Sequence, residues 1–333
     1  PLEEELGRIV LVVGFVVGLF VGLFVGRVDL VVGHIDVLGR RVGHGPGGRR
    51  REVRRRAGEA RRGREGGRDV TRADIGVFGG SGFYSFLEDV ETVDVDTPYG
   101  KPSAPPVVGT VGDRRVAFLP RHGVHHEFPP HRIPYRANLW AMRELGVSRI
   151  VGPNACGSLS PDVRPGDFVI CDQLVDRTRD RPNTFYDGPE TTHISFADPY
   201  CPTMREVAIR EGRRLGIPLR ETGTVVVIEG PRFSTRAESA WFASAGWEVI
   251  NMTQYPEALL ARELEICYAN ISLITDYDVG VEGVPPVTHE EVVRVFNENN
   301  ARLRDLLFAV IPALPAERPC GCATALRGAR FEV

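Results

Sequence analysis

The chain from residue 74 onward predicts an α/β fold in which a central β-sheet is flanked by helices. Two observations predict this fold. Short apolar runs alternate with amphipathic helical segments, and several of these runs lack the polar alternation of a half-exposed strand. A third observation concerns function, because most of the runs end in a small cluster of polar residues, and ligand sites of α/β folds collect at strand ends.

The composition limits the kinds of partner. The 333 residues carry a formal net charge of −3, which argues against nucleic acid as a partner. Excess positive charge lies in residues 40–68, so the remainder is acidic and suits a cytoplasmic enzyme with a small ligand. This length allows two domains, although α/β folds of about 250 residues often form one.

Residues 1–69 differ in composition from the rest and leave two interpretations open. Residues 9–26 are an uncharged run of Val, Gly, Leu and Phe, long enough for a marginal transmembrane helix and hence a membrane anchor. Against an anchor, the run repeats itself, and the Val/Gly/Arg bias continues to Gly67 without an amphipathic pattern. Because no Met precedes Met142, we expect a mis-called or disordered extension, with Val70 as a non-standard start.

The first predicted strand, residues 75–78, runs directly into Gly79-Gly-Ser-Gly82. A glycine turn with one hydroxyl can place several backbone N–H groups and the Ser81 side chain around a phosphate. Such a turn also closes ordinary hairpins, and this one lacks the longer spacing of the dinucleotide fingerprint.

The second predicted strand, residues 116–119, is followed by Arg121 and His122. A guanidinium fork beside a titratable imidazole suits an oxyanion. Further histidines follow, but intervening prolines give them no regular ligand spacing, so we expect a pocket loop rather than a metal site. A helix is predicted for residues 135–145, ending at Gly146.

The middle of the chain adds three more strand ends. The strand beginning at residues 150–151 is followed by Asn154-Ala-Cys-Gly-Ser158, and residues 224–228 lead into Glu229-Gly-Pro-Arg-Phe-Ser234. The strand at residues 249–250 leads into Asn251-Met-Thr253. Further elements are predicted as a strand at 168–171, a long polar loop at 172–202, and helices at 204–215, 237–245 and 257–264.

The last predicted strand ends in two carboxylates, Asp276 and Asp278. Neither acid has a Lys or Arg within four residues, so burial would require a distant partner or a raised pKa. That is the profile of a carboxyl group that exchanges a proton, although two acids in a solvated loop would fit the residues as well. Together the strand ends describe one pocket with many polar groups at an edge of the sheet.

Six cysteines in a chain of this length do not make a disulfide scaffold. Cys320-Gly-Cys322 is the one close pair, and it is too tight for half of a zinc site without a second pair, which the sequence does not offer. A strained local disulfide or two free thiols remain as alternatives, and we predict no metal site.

The strand-end motifs, in this order and spacing, resemble those of the 5'-methylthioadenosine phosphorylases, within the trimeric purine nucleoside phosphorylases. The motifs are Gly79-Gly-Ser-Gly, Arg121-His122, Asn154-Ala-Cys-Gly-Ser, Glu229-Gly-Pro-Arg-Phe-Ser, Asn251-Met-Thr and Thr275-Asp-Tyr-Asp278. The resemblance covers residues 75 to about 312 and implies one phosphorylase domain, residues 70–318, with a mixed sheet between helices and a tail at 319–333.

The resemblance also implies an activity and a site. Family members cleave the glycosidic bond of a purine nucleoside with phosphate as co-substrate, and they need no metal or organic cofactor. Phosphate ligands would be Ser81, Arg121, His122, Asn154, Ala155 and Thr253. Nucleoside contacts would come from Met252 under the ribose, Phe233 and Ser234 at the purine, and Asp276 and Asp278 at the base edge.

Substrate choice stays open within this resemblance. The pair Asp276 and Asp278 favours a 6-aminopurine, since a carboxylate accepts from an amine. His289 stands where methylthio-specific relatives carry an apolar residue, which favours a 5'-hydroxyl and hence inosine, guanosine or adenosine; a solvent-exposed His in a helix first turn is the alternative. The alternative to methylthioadenosine is a 6-oxopurine substrate: inosine, guanosine or 5'-methylthioinosine. His193 matches a histidine that reaches the 5' pocket of a neighbouring subunit, which implies a homotrimer or hexamer.

Two other classes of function remain alternatives. A nucleosidase would use water, and would not need Ser81, Arg121, His122 and Thr253 to converge on an anion. A membrane-tethered protein that binds purines without turnover is the alternative if residues 1–69 are real.

Overall fold

A computed structural model describes residues 72–79, 88–278 and 287–330. The strands are β1 Ile75–Gly79, β2 Glu88–Thr92, β3 Val107–Val111, β4 Arg114–Pro120, β5 Arg149–Ser158, β6 Phe168–Val169, β7 Gln173–Arg177, β8 Leu219–Arg220, β9 Thr224–Ile228, β10 Val249–Asn251 and β11 Cys267–Asp276. The helices are α1 Tyr135–Glu144, α2 Pro202–Arg214, α3 Arg236–Ser244, α4 Gln254–Glu263 and α5 His289–Ala313, with 3₁₀ turns at Pro130–Arg132 and Gly321–Thr324. The predicted α/β fold is confirmed, whereas the predictions for residues 1–69 and for Ser81 lie outside the described residues.

One mixed sheet runs through the described residues in the order β2-β3-β4-β1-β5-β10-β9-β7, and β11 joins β5 to β6 and β8. Strand β5 is the branching point of this sheet. Its first three residues pair with β1, its last two pair with β10, and β11 lies parallel to it along its whole length. The ends of these strands therefore lie close together.

Helices cover both faces of the sheet, which explains why the strands read as continuous apolar runs. On one face α1 and α4 bury Leu139, Met142 and Leu260 with Ile274 of β11. On the other face α2 and α5 bury Met204 and Leu303 with Leu273 of the same strand. Because side chains alternate along a strand, β11 contributes to both cores and is buried from end to end.

Two helices begin at a threonine whose side chain caps the helix N-terminus. Thr235 accepts from the N–H of Glu238, whose carboxylate accepts from the N–H of Thr235, which is a full capping box before α3. Thr288 accepts from the N–H of Glu291 at 3.2 Å before α5. Both helices therefore begin where the sequence predicted.

The differences from prediction lie at the edges of the sheet and in strand length. Residues 173–177 were predicted as loop but form β7, an edge strand whose charged, partly exposed residues hide the strand pattern. Residues 154–158 were predicted to follow a strand, but β5 continues through them because β11 pairs with it as far as Gly157. Among the described residues no helix is both long and apolar enough to cross a membrane.

Candidate active site

The site residues lie where β1, β4, β5, β10 and β11 come together. Strands β1, β4, β5 and β11 run parallel, so their carboxyl ends share one edge. Strand β10 runs against β5 with Ile250 opposite Gly157, which brings Asn251 level with Cys156. The polar clusters of separate strands are thus assembled by topology rather than by sequence proximity.

Arg121 is a buried cation held by Glu257. Its guanidinium donates to both carboxylate oxygens of Glu257, at 2.7 and 2.8 Å, and to the carbonyl of Pro153 at 3.1 Å. Burial by itself would lower the pKa of Arg121, but the charge and hydrogen bonds of Glu257 raise it, so the side chain stays charged. These bonds use three of the five guanidinium N–H donors, which leaves two for an anion.

His122 is a neutral imidazole of fixed orientation. Its Nδ1 lies 2.8 Å from the carbonyl oxygen of Phe128, and its ring stacks on His126 with centroids 4.4 Å apart. Burial lowers the pKa of His122 to about 4, and the charge of Arg121 adds to the effect. Since a carbonyl only accepts, Nδ1 carries the proton and Nε2 is the free ring nitrogen. An anion beside Nε2 would favour a second proton there.

Asn154 and Thr253 meet beside the N-terminus of α4. The Asn154 amide lies 3.4 Å from the Thr253 hydroxyl, and its oxygen accepts from the amide of Asn270 at 2.9 Å. Thr253 precedes α4 but makes no side-chain capping bond, so its hydroxyl stays available to a ligand. Ala155 follows Asn154 in β5. Tyr255, the second residue of α4, has a non-helical backbone (φ −115°, ψ 133°), so the hydroxyl and the amide, rather than a helix N-terminus, are the groups here that suit a phosphate.

Asp276 is a buried carboxyl group with a raised pKa. A register shift between Ile274 and Asp276 places it opposite Gly157. Its two oxygens accept from the Thr275 hydroxyl at 2.8 Å and from the backbone N–H of Asp278 at 2.9 Å. Burial nevertheless raises the pKa of Asp276 to about 6. The side chain can therefore exchange a proton near neutral pH.

Asp278 has a different environment, although it lies only two residues away. The buried hydroxyl of Ser239 in α3 donates to its Oδ2 at 2.6 Å. Its backbone is in the left-handed region, with φ 27°, which turns the chain after β11. Because the Ser239 hydroxyl donates, Asp278 is the acceptor in this hydrogen bond.

Gly157 allows these two acids to approach β5. A Cβ atom at this position would lie 2.9 Å from Oδ1 of Asp276 and 3.3 Å from Cβ of Asp278. The first distance is shorter than real Cβ contacts, so the glycine is required by close packing under the carboxylates.

Two buried polar atoms near the site have no hydrogen-bond partner among the described residues. They are the amide nitrogen of Asn251, at the end of β10, and the hydroxyl of Ser234. Buried polar groups are normally satisfied, so these two groups are candidates for contacts with a bound molecule. Phe233 beside Ser234 is 36% exposed, and Met252 packs on Gly230, where a Cβ would lie 2.6 Å from its sulfur.

The two predicted 5'-pocket histidines are exposed in the single chain. His289 is the first residue of α5 and lies near His126, which stacks on His122; burial lowers the pKa of His126, and the neighbouring His289 adds to the effect. The backbone N–H of His193 donates to the carbonyl of Ala329 at 2.8 Å, which ties its loop to the C-terminal segment. The role of His193 toward a neighbouring subunit stays a prediction.

Sequence reasoning missed two residues that position the site, Glu257 and Ser239, and assigned no role of their own to Gly157 and Asn251, although both lie in predicted strand-end motifs. Glu257 was predicted only as the start of a helix, yet it is 1% exposed and also accepts from the Tyr268 hydroxyl at 2.7 Å. A carboxylate on the apolar side of a helix was the signal for it. Nothing local indicated Ser239, because its partner lies 39 residues away.

The cysteines require a correction. No second pair was found in the sequence to complete a site with Cys320 and Cys322, but the fold supplies one in Cys201 and Cys267. These two stand at the start of α2 and of β11, 66 residues apart in the chain and in apolar contexts, so no spacing revealed them.

Comparisons with known proteins show the family of the chain. Residues 74–312 match the Phosphorylase superfamily. The chain is 55% identical over 267 residues to the purine nucleoside phosphorylase of Streptomyces coelicolor, covering 77% of this chain and 95% of that protein. It is 54% identical over 253 residues to the S-methyl-5'-thioadenosine phosphorylase of Pyrococcus furiosus, covering 76% and 97%.

A solved structure gives the same result for the fold. The methylthioadenosine phosphorylase from an Antarctic soil metagenomic library superposes with a TM-score of 0.75 at 38% identity, covering 78% of this chain and 93% of that one. The matched residues include the sheet, its flanking helices and the strand ends described above. The chain belongs to the phosphorylase superfamily.

Proposed function

We propose that the protein cleaves the N-glycosidic bond of a purine nucleoside with phosphate, and that 5'-methylthioadenosine is its preferred substrate. The observation that carries this proposal is Asp276, a carboxyl group with a pKa raised to about 6 at the same sheet edge as a buried cation. Relatives that carry the name S-methyl-5'-thioadenosine phosphorylase support the choice of substrate.

The anion site would hold phosphate below the ribose. Arg121 contributes its two remaining N–H donors, and the Thr253 hydroxyl contributes a further donor. His122 presents Nε2, and the phosphate charge would raise the pKa of this imidazole from its value of about 4. Ser81 and the backbone of Ala155 complete the proposed set.

In the reaction a phosphate oxygen forms a bond to C1' of the ribose as the bond from C1' to N9 of the purine breaks. The sugar carbon gains positive charge, which the phosphate anion stabilises. The electron pair of the broken bond enters the purine, and protonated Asp276 delivers its proton to N7. Free base and a pentose 1-phosphate leave, and Asp276 regains its proton from solvent.

A carboxylate would recognise the 6-amino group of the purine by accepting a hydrogen bond from it. Asp278 accepts from Ser239 and so is kept as an acceptor, which suits an exocyclic amine and opposes a 6-oxo group. Phe233 would pack on the purine, with Ser234 beside it, and Met252 would lie under the ribose. The unpaired amide of Asn251 would donate to the nucleoside.

A second candidate is a phosphorylase for 6-oxopurine nucleosides. His289 favours inosine and guanosine over methylthioadenosine, because this polar side chain suits their 5'-hydroxyl better than a methylthio group; adenosine shares that hydroxyl, so the 6-position is distinguished by the assay below. The purine nucleoside phosphorylase among the relatives, at 55% identity, favours the second candidate as well.

One assay separates these candidates. Initial rates would be measured with and without phosphate for methylthioadenosine, methylthioinosine, adenosine, inosine and guanosine. We expect turnover only with phosphate and the highest kcat/KM for methylthioadenosine. A preference for inosine and guanosine would establish the second candidate, and cleavage without phosphate would replace both with a nucleosidase.

We further propose that the enzyme acts in the cytoplasm as a homotrimer, or as a hexamer of two trimers. In this arrangement His193 of one subunit would approach the 5' pocket of the next. Light scattering coupled to size exclusion gives the subunit number. A fully active monomer would exclude this role for His193.

A further inference from the structure

Four thiols gather at the end of β11 that lies opposite the carboxylates. The sulfur atoms of Cys201, Cys267, Cys320 and Cys322 all lie within 4.8 Å of one another, and those of Cys267 and Cys320 are 3.4 Å apart. Three of these cysteines are buried, and Cys320 is half-buried. They come from the start of α2, the start of β11 and the C-terminal segment, so only the tertiary fold unites them.

The spacing fits a tetrahedral metal ion. Zinc binds thiolate sulfur at about 2.3 Å, which places the four sulfur atoms of a tetrahedral site about 3.8 Å apart. A disulfide joins two sulfur atoms, so disulfides do not require all four cysteines to be neighbours. A disulfide within Cys320-Gly-Cys322 would also be strained by its short spacing. Four sulfur atoms that are all mutual neighbours are what a single ion requires.

The surrounding charges suit such an ion. Four thiolates around Zn²⁺ carry a net charge of −2, and cations nearby would stabilise it. Nη1 of Arg262 lies 4.0 Å from the sulfur of Cys322. A small cavity beside Cys201, Cys267 and Cys320 is lined by two more arginines, Arg149 and Arg318, with Glu317 as the only acid in its wall.

The cluster lies far from the carboxylates, so its thiols do not contact a substrate bound there. Cys267 and Asp276 are the two ends of one ten-residue strand, which separates them by about 30 Å at the usual rise of a strand. The cluster instead joins the C-terminal segment to the core. That segment continues to Ala329, which pairs with His193, and to Arg330, which pairs with Thr192.

We propose that Cys201, Cys267, Cys320 and Cys322 bind one Zn²⁺ ion, which clamps the C-terminal segment onto the start of β11. Each thiol loses its proton on binding, so four protons are released per ion. The clamp also supports the loop of His193 through its pairing with Ala329.

The test measures metal in the full-length protein. The chain would be produced without a polyhistidine tag in zinc-supplemented cells and purified under reducing conditions, and zinc would be counted by inductively coupled plasma mass spectrometry. We expect about one zinc per chain. The double variant Cys320→Ser/Cys322→Ser should lose it, whereas Cys171→Ala, which changes a buried cysteine outside the cluster, should keep it.

A second measurement does not depend on how the variants fold. Metal-stripped, reduced wild-type protein would be titrated with Co²⁺, which gives thiolate charge-transfer and intense visible bands in a tetrahedral sulfur site. We expect saturation at one Co²⁺ per chain and displacement by Zn²⁺. Absence of zinc together with absence of these bands would overturn the proposal, as would zinc retained in the double variant or disulfides among the four cysteines in the reduced preparation.

Discussion

The two ends of β11 show how one buried strand serves two opposite purposes. At its carboxyl end Asp276 is buried, and its carboxylate accepts hydrogen bonds from Thr275 and from the backbone of Asp278 rather than from a cation in the described part of the chain. Burial raises the pKa of Asp276 to about 6. At its amino end Cys267 joins three other thiols with Arg262 close by. We expect the first end to bind a substrate reversibly and the second end to hold a structural metal ion.

The difference has a thermodynamic side. A pKa raised from 3.8 to about 6 means that burying the ionised form of Asp276 costs roughly 3 kcal/mol of folding free energy at neutral pH. A zinc clamp at the other end would stabilise the fold by its binding free energy. The site for chemistry thus lowers stability, and the proposed clamp offsets that cost.

The largest expected effect is on chemistry at the carboxylate end. Asp276→Asn removes the proton donor, so kcat for methylthioadenosine should fall by about 10²–10⁴-fold. The loss should be much smaller for 6-oxopurine nucleosides if Asp276 also discriminates the base. Steady-state kinetics on both substrate classes measures this.

Asp162→Asn is the matched control for this substitution. Asp162 is an exposed acid in the turn after β5, and its change should leave kcat unaltered. Equal losses on 6-amino and 6-oxo substrates in Asp276→Asn would remove Asp276 from base discrimination. An unchanged kcat on every substrate would remove it from catalysis.

The second-largest expected effect concerns the buried ion pair between Arg121 and Glu257. Glu257→Gln leaves Arg121 buried without its counter-charge, which should lower the free energy of unfolding by about 3 kcal/mol. The KM for phosphate should change together with stability, because Glu257 orients the guanidinium. Glu298→Gln, which breaks an exposed pair with Arg294 within α5, is the control and should have little effect. Full stability in Glu257→Gln would show that the pair is not needed to hold Arg121.

The free-energy cost of burying the ionised Asp276 carboxylate should appear as a pH dependence of the free energy of unfolding. The folded state binds this proton more tightly than the unfolded chain, so the cost is absent below about pH 4, grows between pH 4 and 6, and is complete above pH 6. Asp276→Asn cannot ionise and lacks this cost. Its stability relative to wild type should therefore rise by up to roughly 3 kcal/mol between pH 4 and 7.

Denaturant unfolding of both proteins at each pH gives the comparison. Only the change of the difference with pH is diagnostic, because the amide also replaces one hydrogen-bond acceptor with a donor beside Thr275. If the difference in unfolding free energy between the two proteins stays constant with pH, the pKa of Asp276 is not raised in the folded protein.

Much of the fold could be predicted because local patterns encode it. The apolar strands β1, β9 and β11 and the amphipathic helices have periodicities that are readable within a few residues. Strands β2 and β7 were missed because edge strands contain charged, exposed residues. Their place in the sheet is set by partners far along the chain.

In the candidate site, too, some residues could be predicted from local sequence and others could not. Arg121, Asp276 and Thr253 each follow or end a strand, so chain position indicated them. Glu257 and Ser239 act through partners 136 and 39 residues away, and no pattern in one sequence connects such pairs. The four cysteines are the extreme case, since two of them have no polar neighbour that would mark them as ligands.

The smallest effect tests whether Asp278 recognises the base or only supports its neighbour. Ser239→Ala removes a 2.6 Å hydrogen bond to Asp278, a loss of about 1–1.5 kcal/mol, so kcat/KM for 6-aminopurine nucleosides should fall about tenfold. Ser244→Ala is the control in the same helix, because its hydroxyl donates only to the Trp241 carbonyl on the exposed side. A loss confined to 6-amino substrates assigns Asp278 to the amine. If 6-oxo substrates lose as much, the carboxylate supports the chain turn beside Asp276, and base discrimination then lies with Asp276 alone.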